Sequence, residues 1–214
     1  HGLTKEEFLE ADKKQHIDEI WNHVFMEYEK KGGNIVGKLQ NQNVDTGSGL
    51  ERITCVVQGK ENVFDTDLFK PVIDKISSLA REDDVRSKRI IADHIRASVF
   101  LIADGVTPSN TEQGYVLRRL LRRAIRHADK LGMPQGSLAA LMPILVEKYQ
   151  EAYPNILQKQ AFIEQEITQE ETKFRKTLAS GMKEFEKINT PIISGHDAFV
   201  LFSTYGFPFE LTLE

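Results

Sequence analysis

Cysteine occurs once, at Cys55, so neither an internal disulfide framework nor a cysteine-rich zinc site can form, and the lone thiol suits a reducing compartment. Long apolar runs are missing as well. Stretches such as Ile90–Ala92 and Ser98–Ala103 fall far short of the roughly 20 residues that a membrane-spanning helix needs. His1-Gly2-Leu3-Thr4 offers neither a methionine nor a signal-like apolar core, and reads as a cut or processed end. The lysine of a phosphate-binding loop and the full spacing of a dinucleotide fingerprint are both lacking. His16, His23, His94, His127 and His196 are scattered and form no metal-ligand cluster, and His94 reads as a packed or hydrogen-bonded ring. A net charge of −4 over 214 residues argues against a generic polyanion binder. With 40% hydrophobic and 28% charged residues, the composition is that of a globular protein and excludes a disordered one.

The pattern along the chain is mainly helical. Residues 4–30 allow a helix followed by a buried segment at Trp21–Tyr28, whose dense aromatic run also suits a strand. A break at Lys31-Gly32-Gly33 leads into polar loop chemistry through Asn43. Val44–Arg52 reads as strand end, glycine turn and helix start, with the helix stopping at Gly59. Beyond Asp65, Leu68, Val72, Ile73, Ile76 and Leu79 define one amphipathic face, and Ile90, Ile91, Ile95, Val99 and Ile102 another. Turn signals fill Asp104–Asn110, and a helix over Tyr115–Lys130 is closed by Gly132 and Pro134. Residues 155–188 predict one long helix, with Ile156, Ile163, Ile167, Phe174, Leu178, Met182, Phe185 and Ile188 on a single stripe. That stripe either packs on its own domain or pairs with a partner in a coiled coil.

Charge is sorted rather than spread. Arg86–Lys130 holds ten Lys or Arg and four Asp or Glu, so it carries +6 and leaves −10 for the remainder. Within it Arg118, Arg122 and Arg126 recur at helical spacing, with Arg119 and Arg123 beside them. A helical charge run is ordinarily a solvated face. Few acids here are spaced to pair with the arginines, and a polyanion partner is the better reading.

The sharpest local signal is Val44-Asp45-Thr46-Gly47-Ser48-Gly49-Leu50-Glu51-Arg52. Gly47 and Gly49 let a backbone approach a flat or anionic ligand, and the helix that follows offers free N–H groups. Arg52 in its first turns can meet a phosphate or stack on a base, and Asp45 can hold an ammonium group. A tight structural turn accounts for the same glycines equally well.

Gly47–Arg52 resembles motif 3 of the class II aminoacyl-tRNA synthetases, and its surroundings resemble the alanyl-tRNA synthetase family. The supporting segments are Glu19–Met26, Phe64–Phe69, Ile91–Arg96, Phe100–Asn110, Gly114–Arg123 and Tyr205–Thr212, in unbroken order from about residue 16 to 214. This resemblance implies a mainly α chain: the C-terminal part of a class II antiparallel α+β catalytic domain over residues 1–60, then a helical tRNA-recognition domain over 61–214. It implies ATP contacts at Gly47, Gly49 and Arg52, and alanine contacts at Asn22 and Asp45. For Asn22 a strand-end hydrogen bond to backbone is the plainer alternative. The acceptor stem of tRNA(Ala) would be met by Asn110, Arg118, Arg119, Arg122, Arg123, Arg126 and Ser203.

In this family a G·U wobble pair is read by the asparagine of Pro-Ser-Asn, here Asn110, and by an aspartate whose place Ser203 takes. Gln113 likewise stands where the family usually has arginine. No segment resembles motif 1 or motif 2, so the chain reads as a fragment that would not activate alanine alone. No catalytic or metal-ligating residue is assigned. ATP and Mg2+ would serve the parent enzyme, and the zinc of an editing domain would lie beyond residue 214. A cytoplasmic setting is expected, with an organellar one open and no membrane partner. The alternative is a stand-alone helical RNA-binding module, which an exposed partial sheet around Asp45 and Arg52, in place of an open pocket, would favour.

The departure at Ser203 generates a prediction. A guanine amino group in the minor groove is a donor that seeks an acceptor, and a base contact is worth about 1–3 kcal/mol. Preference for a G·U over a G·C acceptor stem should survive in reduced form, and Ser203→Asp should enlarge it. Competition binding of the two stems checks this, and a preference that falls in Ser203→Asp would remove Ser203 from the readout.

Overall fold

The computed structural model describes residues 2–14, 16–188, 192–205, 207 and 209–213, without the side chains of Glu210 and Leu211. The chain divides into two compact units, His1–Leu68 and Phe69–Glu214.

In the first unit, α1 (Lys5–Lys13) opens on a capping box in which Thr4 and Glu7 satisfy each other's backbone N–H groups. Strands β1 (Trp21–Lys31) and β2 (Asn34–Ser48) form one antiparallel ribbon. Its turn is Gly32-Gly33, with φ of 55° and 89°, the left-handed pair that a two-residue hairpin turn demands. Two expectations are corrected here. Residues 34–43 are strand rather than loop, because they pair back onto Met26–Lys31. The Trp21–Tyr28 segment is a strand but not a buried one: Phe25 is 78% exposed and Trp21 56%. A two-stranded ribbon has no second layer, so its residues need not alternate between polar and apolar, and the periodicity that betrays a strand is missing. Helix α2 (Leu50–Val57) follows at once, and the chain leaves it through Gly59 at φ 60°.

The second unit holds the core. Helices α3 (Lys70–Leu79), α4 (Val85–Ala103), α5 (Glu112–Lys130), α6 (Met142–Tyr149), α7 (Pro154–Gln158), α8 (Gln160–Phe185), α9 (Gly195–Tyr205) and α10 (Phe209–Leu213) follow in order. α4 and α5 pack side by side, with Ile91, Ile95, Val99 and Ile102 buried on one and Leu117, Leu121, Ala124 and Ile125 on the other. α8 lies across α5 and buries Ile163, Ile167 and Phe174 of the expected stripe. The expected single helix over 155–188 is interrupted at Lys159 (φ −103°, ψ 10°). There the Lys159 ammonium donates to the Ala103 carbonyl at 2.5 Å, and Asn155 donates to Asp104 at 3.3 Å, so the break seats α7 on the end of α4. The stripe therefore packs within its own unit, although Met182 is left 43% exposed.

Near the end of α8, Gly181 faces the buried ring of Phe207. A Cβ on Gly181 would lie 2.5 Å from Phe207 Cδ2 and 2.8 Å from its Cβ. Gly181→Ala gains at most about 1 kcal/mol of helix propensity. Overpacking of this kind costs about 1–3 kcal/mol. The net expectation is a lower urea midpoint with an unchanged slope. An unchanged midpoint would show that Phe207 does not seat against this glycine.

Candidate functional site

The ribbon places the expected small-ligand residues on one face. Asn22 pairs with Gly47, and Val24 with Asp45, so Asn22 and Asp45 project to the same side of the sheet. Gly47 adds no side chain opposite Asn22, and a Cβ there would meet no atom within 4 Å. Neither Gly47 nor Gly49 adopts the left-handed conformation that would require glycine. The chain's own backbone thus makes no demand for glycine at either position. On the other face, Trp21 Nε1 donates to the Thr46 hydroxyl at 2.8 Å, and His23 Nδ1 lies 2.9 Å from that hydroxyl.

Gly49 caps α2, and its N–H donates to the Ile20 carbonyl at 3.2 Å. That contact brings Arg52 to the start of β1, where its guanidinium donates to the Glu19 carbonyl at 2.6 Å. Asn22 Nδ2 donates to the Glu19 carboxylate at 3.0 Å. One residue therefore ties Arg52 to Asn22, a link not foreseen from the sequence beyond Glu19 standing at the head of the Trp-Asn segment. Asn22 uses a side-chain partner rather than the strand-end backbone bond considered above. Asn22, Asp45 and Arg52 are all exposed, so the ribbon forms an open partial sheet around them.

The second constellation surrounds the start of α5. Thr107–Thr111 folds back over the helix, with the Ser109 N–H donating to Gly114 O at 3.0 Å and the Thr111 N–H to Ser109 Oγ at 3.3 Å. Gly114 is required by this close approach. A Cβ on it would lie 2.2 Å from Ser109 Oγ and 2.5 Å from Thr107 O. Glu112 carries φ 49°, a conformation that costs a non-glycine residue about 1–3 kcal/mol and persists only under strong local constraint. The fold-back sets Asn110 beside α5, where its side-chain carbonyl accepts from the Arg118 guanidinium, which also donates to Pro108 O at 3.2 Å.

The arginine face differs from expectation. Acids spaced along α5 are scarce, but α8 supplies one from outside the basic segment. Glu170, only 4% exposed, accepts from Arg122 Nε at 2.8 Å and lies 3.5 Å from Arg118 Nε. Arg122 also stacks over the Phe174 ring, 4.8 Å from its centroid. Arg118, Arg122 and Arg126 are therefore half-buried toward the protein, whereas Arg119 and Arg123 are exposed. Lys88 and Lys130 pair with Asp83 and Asp84 at 2.7 and 2.9 Å, so acids just ahead of the basic segment neutralise part of its surplus. Glu170 sits three residues after Ile167 and four before Phe174, and a carboxylate on an apolar stripe was the available sign of a buried ion pair.

Ser203 lies on α9, where its hydroxyl donates to Phe199 O at 2.7 Å. No hydrogen bond joins it to Asn110 among the described residues. Gly206 and Pro208 of the closing Tyr-Gly-Phe-Pro element lie outside them. His94 is hydrogen-bonded, as expected, to Asp93 at 2.9 Å, which holds the Asp93 carboxyl below the usual range. Beside the basic face, Ser87 donates to Asp84 at 2.5 Å and lies 2.8 Å from His127 Nδ1. With the hydroxyl proton committed to Asp84, His127 Nδ1 is the donor and carries the ring hydrogen. Burial first, then Arg123, Arg126 and Lys130 nearby, pull the His127 pKa down to about 4.

A family described as tRNA synthetases class II (A) matches residues 2–214. The chain is 47% identical over 208 residues to a Borrelia hermsii (strain HS1 / DAH) protein named alanine–tRNA ligase, covering 92% of this chain and 35% of that protein. Alanine–tRNA ligases of Hydrogenovibrio crunogenus (strain DSM 25203 / XCL-2) and Thermotoga sp. (strain RQ2) are 46% and 45% identical over 202 and 218 residues. Those matches cover 92% and 98% of this chain, and 23% and 25% of the relatives. The chain spans about a quarter to a third of the length of these relatives.

The depressed pKa of His127 has a definite sign. A ring neutral in the folded state down to about pH 4 and free to protonate near 6.5 when unfolded leaves stability intact above pH 6.5. Stability is then lost as pH falls toward 4. The stability advantage of the wild type over His127→Gln should shrink between pH 7 and 4.5 in urea unfolding. A constant gap would show that His127 protonates freely in the folded protein.

Proposed function

The chain belongs to the class II tRNA synthetase (A) family, and from that membership we propose that it carries out parts of alanine–tRNA ligation. Its first unit serves the amino acid and ATP, and its second recognises the tRNA acceptor stem. In the activation step a carboxylate oxygen of alanine attacks the α-phosphate of ATP in line, forming alanyl-adenylate and releasing pyrophosphate. The alanyl group then passes to the tRNA 3′ end. Such a displacement needs positioning and charge neutralisation more than covalent help from the protein. Mg2+ arrives on the ATP phosphates.

The shared face of Asn22 and Asp45, with Gly47 clearing the space between them, supports the amino-acid assignment. Asp45 holds the ammonium group as a charge-assisted pair, and the Asn22 amide addresses the carboxylate end. Arg52, tethered through Glu19, serves the adenine and phosphates. Glycines that the backbone itself does not require fit close approach by a ligand.

The observation that carries the RNA assignment is the division of the α5 arginines. Exposed Arg119 and Arg123 meet phosphates, whereas Arg118 and Arg122 are held by Glu170 and Arg118 positions the Asn110 loop. Asn110 then addresses the wobble pair. One observation favours the second reading, an RNA-binding module without catalysis: Asp45 lies on an open ribbon, and Arg52 is exposed at the start of α2.

Binding of a tRNA(Ala) acceptor-stem hairpin, measured over a salt series, tests this. Each phosphate contact contributes about 0.7–0.9 to the slope of log K against log salt. Arg119→Ala with Arg123→Ala should weaken G·U and G·C stems alike and flatten the slope by about 1–2. Unchanged slopes would remove these two arginines from the phosphate contacts. Binding of alanine or ATP to the chain, lost in Asp45→Asn or Arg52→Ala, separates the synthetase reading from the binding-module reading.

A further inference from the structure

We infer that Glu170, on a helix that contributes no proposed RNA contact, is the positioning residue that sets the Asn110 amide for base readout. The inference rests on the assignment of Asn110 above and adds to it a residue at second remove.

The chain of contacts is short and continuous. The Glu170 carboxylate is buried and accepts the Arg122 Nε–H at 2.8 Å. It lies 3.5 Å from Arg118 Nε, a buried donor that makes no hydrogen bond and is met there by charge alone. The terminal nitrogens of Arg118 then divide between the Asn110 side-chain carbonyl and the Pro108 backbone carbonyl. Glu170 thereby holds the guanidinium in place by charge, and the two terminal N–H bonds of the guanidinium hold the amide and its loop. With its carbonyl oxygen turned to Arg118, Asn110 directs its NH2 group and one remaining carbonyl lone pair outward. A neutral amide at position 170 accepts less strongly and brings an N–H2 group toward two guanidinium groups, freeing Arg118 to turn.

Arg118 and Glu170 also line a cleft of about 130 Å³ with Pro108, Glu166, Gln169 and Lys173. The cleft gives a released Arg118 side chain room to move, so loss of the Glu170 charge does not force Arg118 to stay where packing alone would hold it.

The experiment compares the full chain and its Glu170→Gln, Asn110→Ala and double variants. Folding is verified by thermal unfolding. The readouts are affinity for G·U and G·C acceptor hairpins, and the Asn110 side-chain amide resonances in the absence of RNA. Glu170→Gln should shift those resonances and lower the G·U preference about fivefold, within the range of one base contact, while leaving affinity for the G·C stem within twofold. In the double variant the preference should fall no further than in Asn110→Ala. Equal weakening of both stems, or unmoved Asn110 resonances, would overturn the inference. If Glu170→Gln fails to fold, Arg118→Lys, which keeps the charge but loses the planar fork, should give the same resonance shift and loss of preference, and a preference unchanged in Arg118→Lys would overturn it as well. If Asn110→Ala leaves the preference intact although Glu170→Gln moves the amide, the readout assignment fails and the mechanical link stands.

Discussion

Two adjacent carboxylates, Glu170 and Glu171, are buried in the middle of α8 at 4% and 1% exposure. Burial of even one unpaired charge is costly, and the arrangement holds only because each carboxylate has its own cations and donors. Glu170 faces Arg118 and Arg122. Glu171 accepts from Arg175 at 3.0 and 3.1 Å and from the Gly136 N–H at 3.2 Å, and Arg175 reaches on to Asp129. α8 is consequently locked to α5 on one side and to the loop before α6 on the other. Truncating one partner would strand the other in a low-dielectric interior, an effect of about 3–5 kcal/mol for buried pairs in general. A hydrophobic pair would hold the helices together equally well. What the ionic pair adds is orientation, since a guanidinium must lie in the plane its carboxylate dictates.

The same locking explains which parts of the second unit were legible in the sequence. α4 and α5 bury faces of four or more apolar residues at helical spacing, α3 buries Val72 and Ile76 of the face expected for it, and α5 begins three residues before the expected Tyr115 and ends at the expected Lys130. The break at Lys159 was not legible, because its cause is a carbonyl on α4, fifty-six residues away in the chain. The pairing of the arginines was hidden for the same reason. Spacing along one helix reveals only its own neighbours, and Glu170 comes from another. Its place on an apolar stripe was the one trace left in the sequence.

In the first unit the position is reversed. The glycine-rich strand end and α2 were readable from residue chemistry, but the ribbon was not readable from hydropathy. Both of its faces are exposed, so polar residues 40–43 occupy β2 as readily as Ile35 and Val36 do. Its register nevertheless decides the candidate site. Asn22 and Asp45 share a face only because Trp21 lies opposite Ser48, and a slip of one residue would send Asp45 to the side of Trp21 and Thr46 to the side of Asn22. The Trp21–Thr46 hydrogen bond on the reverse face resists that slip, and Gly49 bonding back to Ile20 fixes the end of the ribbon from which Arg52 is presented.

The serine at 203 is easier to place once its hydrogen bond is known. Ser203 donates its only hydroxyl hydrogen to Phe199 O, so toward solvent it offers lone pairs alone. An aspartate at that point would also offer only acceptors, and the exchange therefore keeps the sense of the hydrogen bond while removing its charge and reach. Asn110 has the complementary constraint, since its carbonyl is engaged by Arg118 and its amide donors have no partner among the described residues. In the proposed readout the two residues thus differ in kind: Ser203 can only receive a hydrogen, and Asn110 chiefly gives one. A guanine amino group suits the first, and the acceptors in the minor groove suit the second. Discrimination then depends on how firmly each side chain is held, and of the two only Asn110 is tied, through Arg118, to a buried charge.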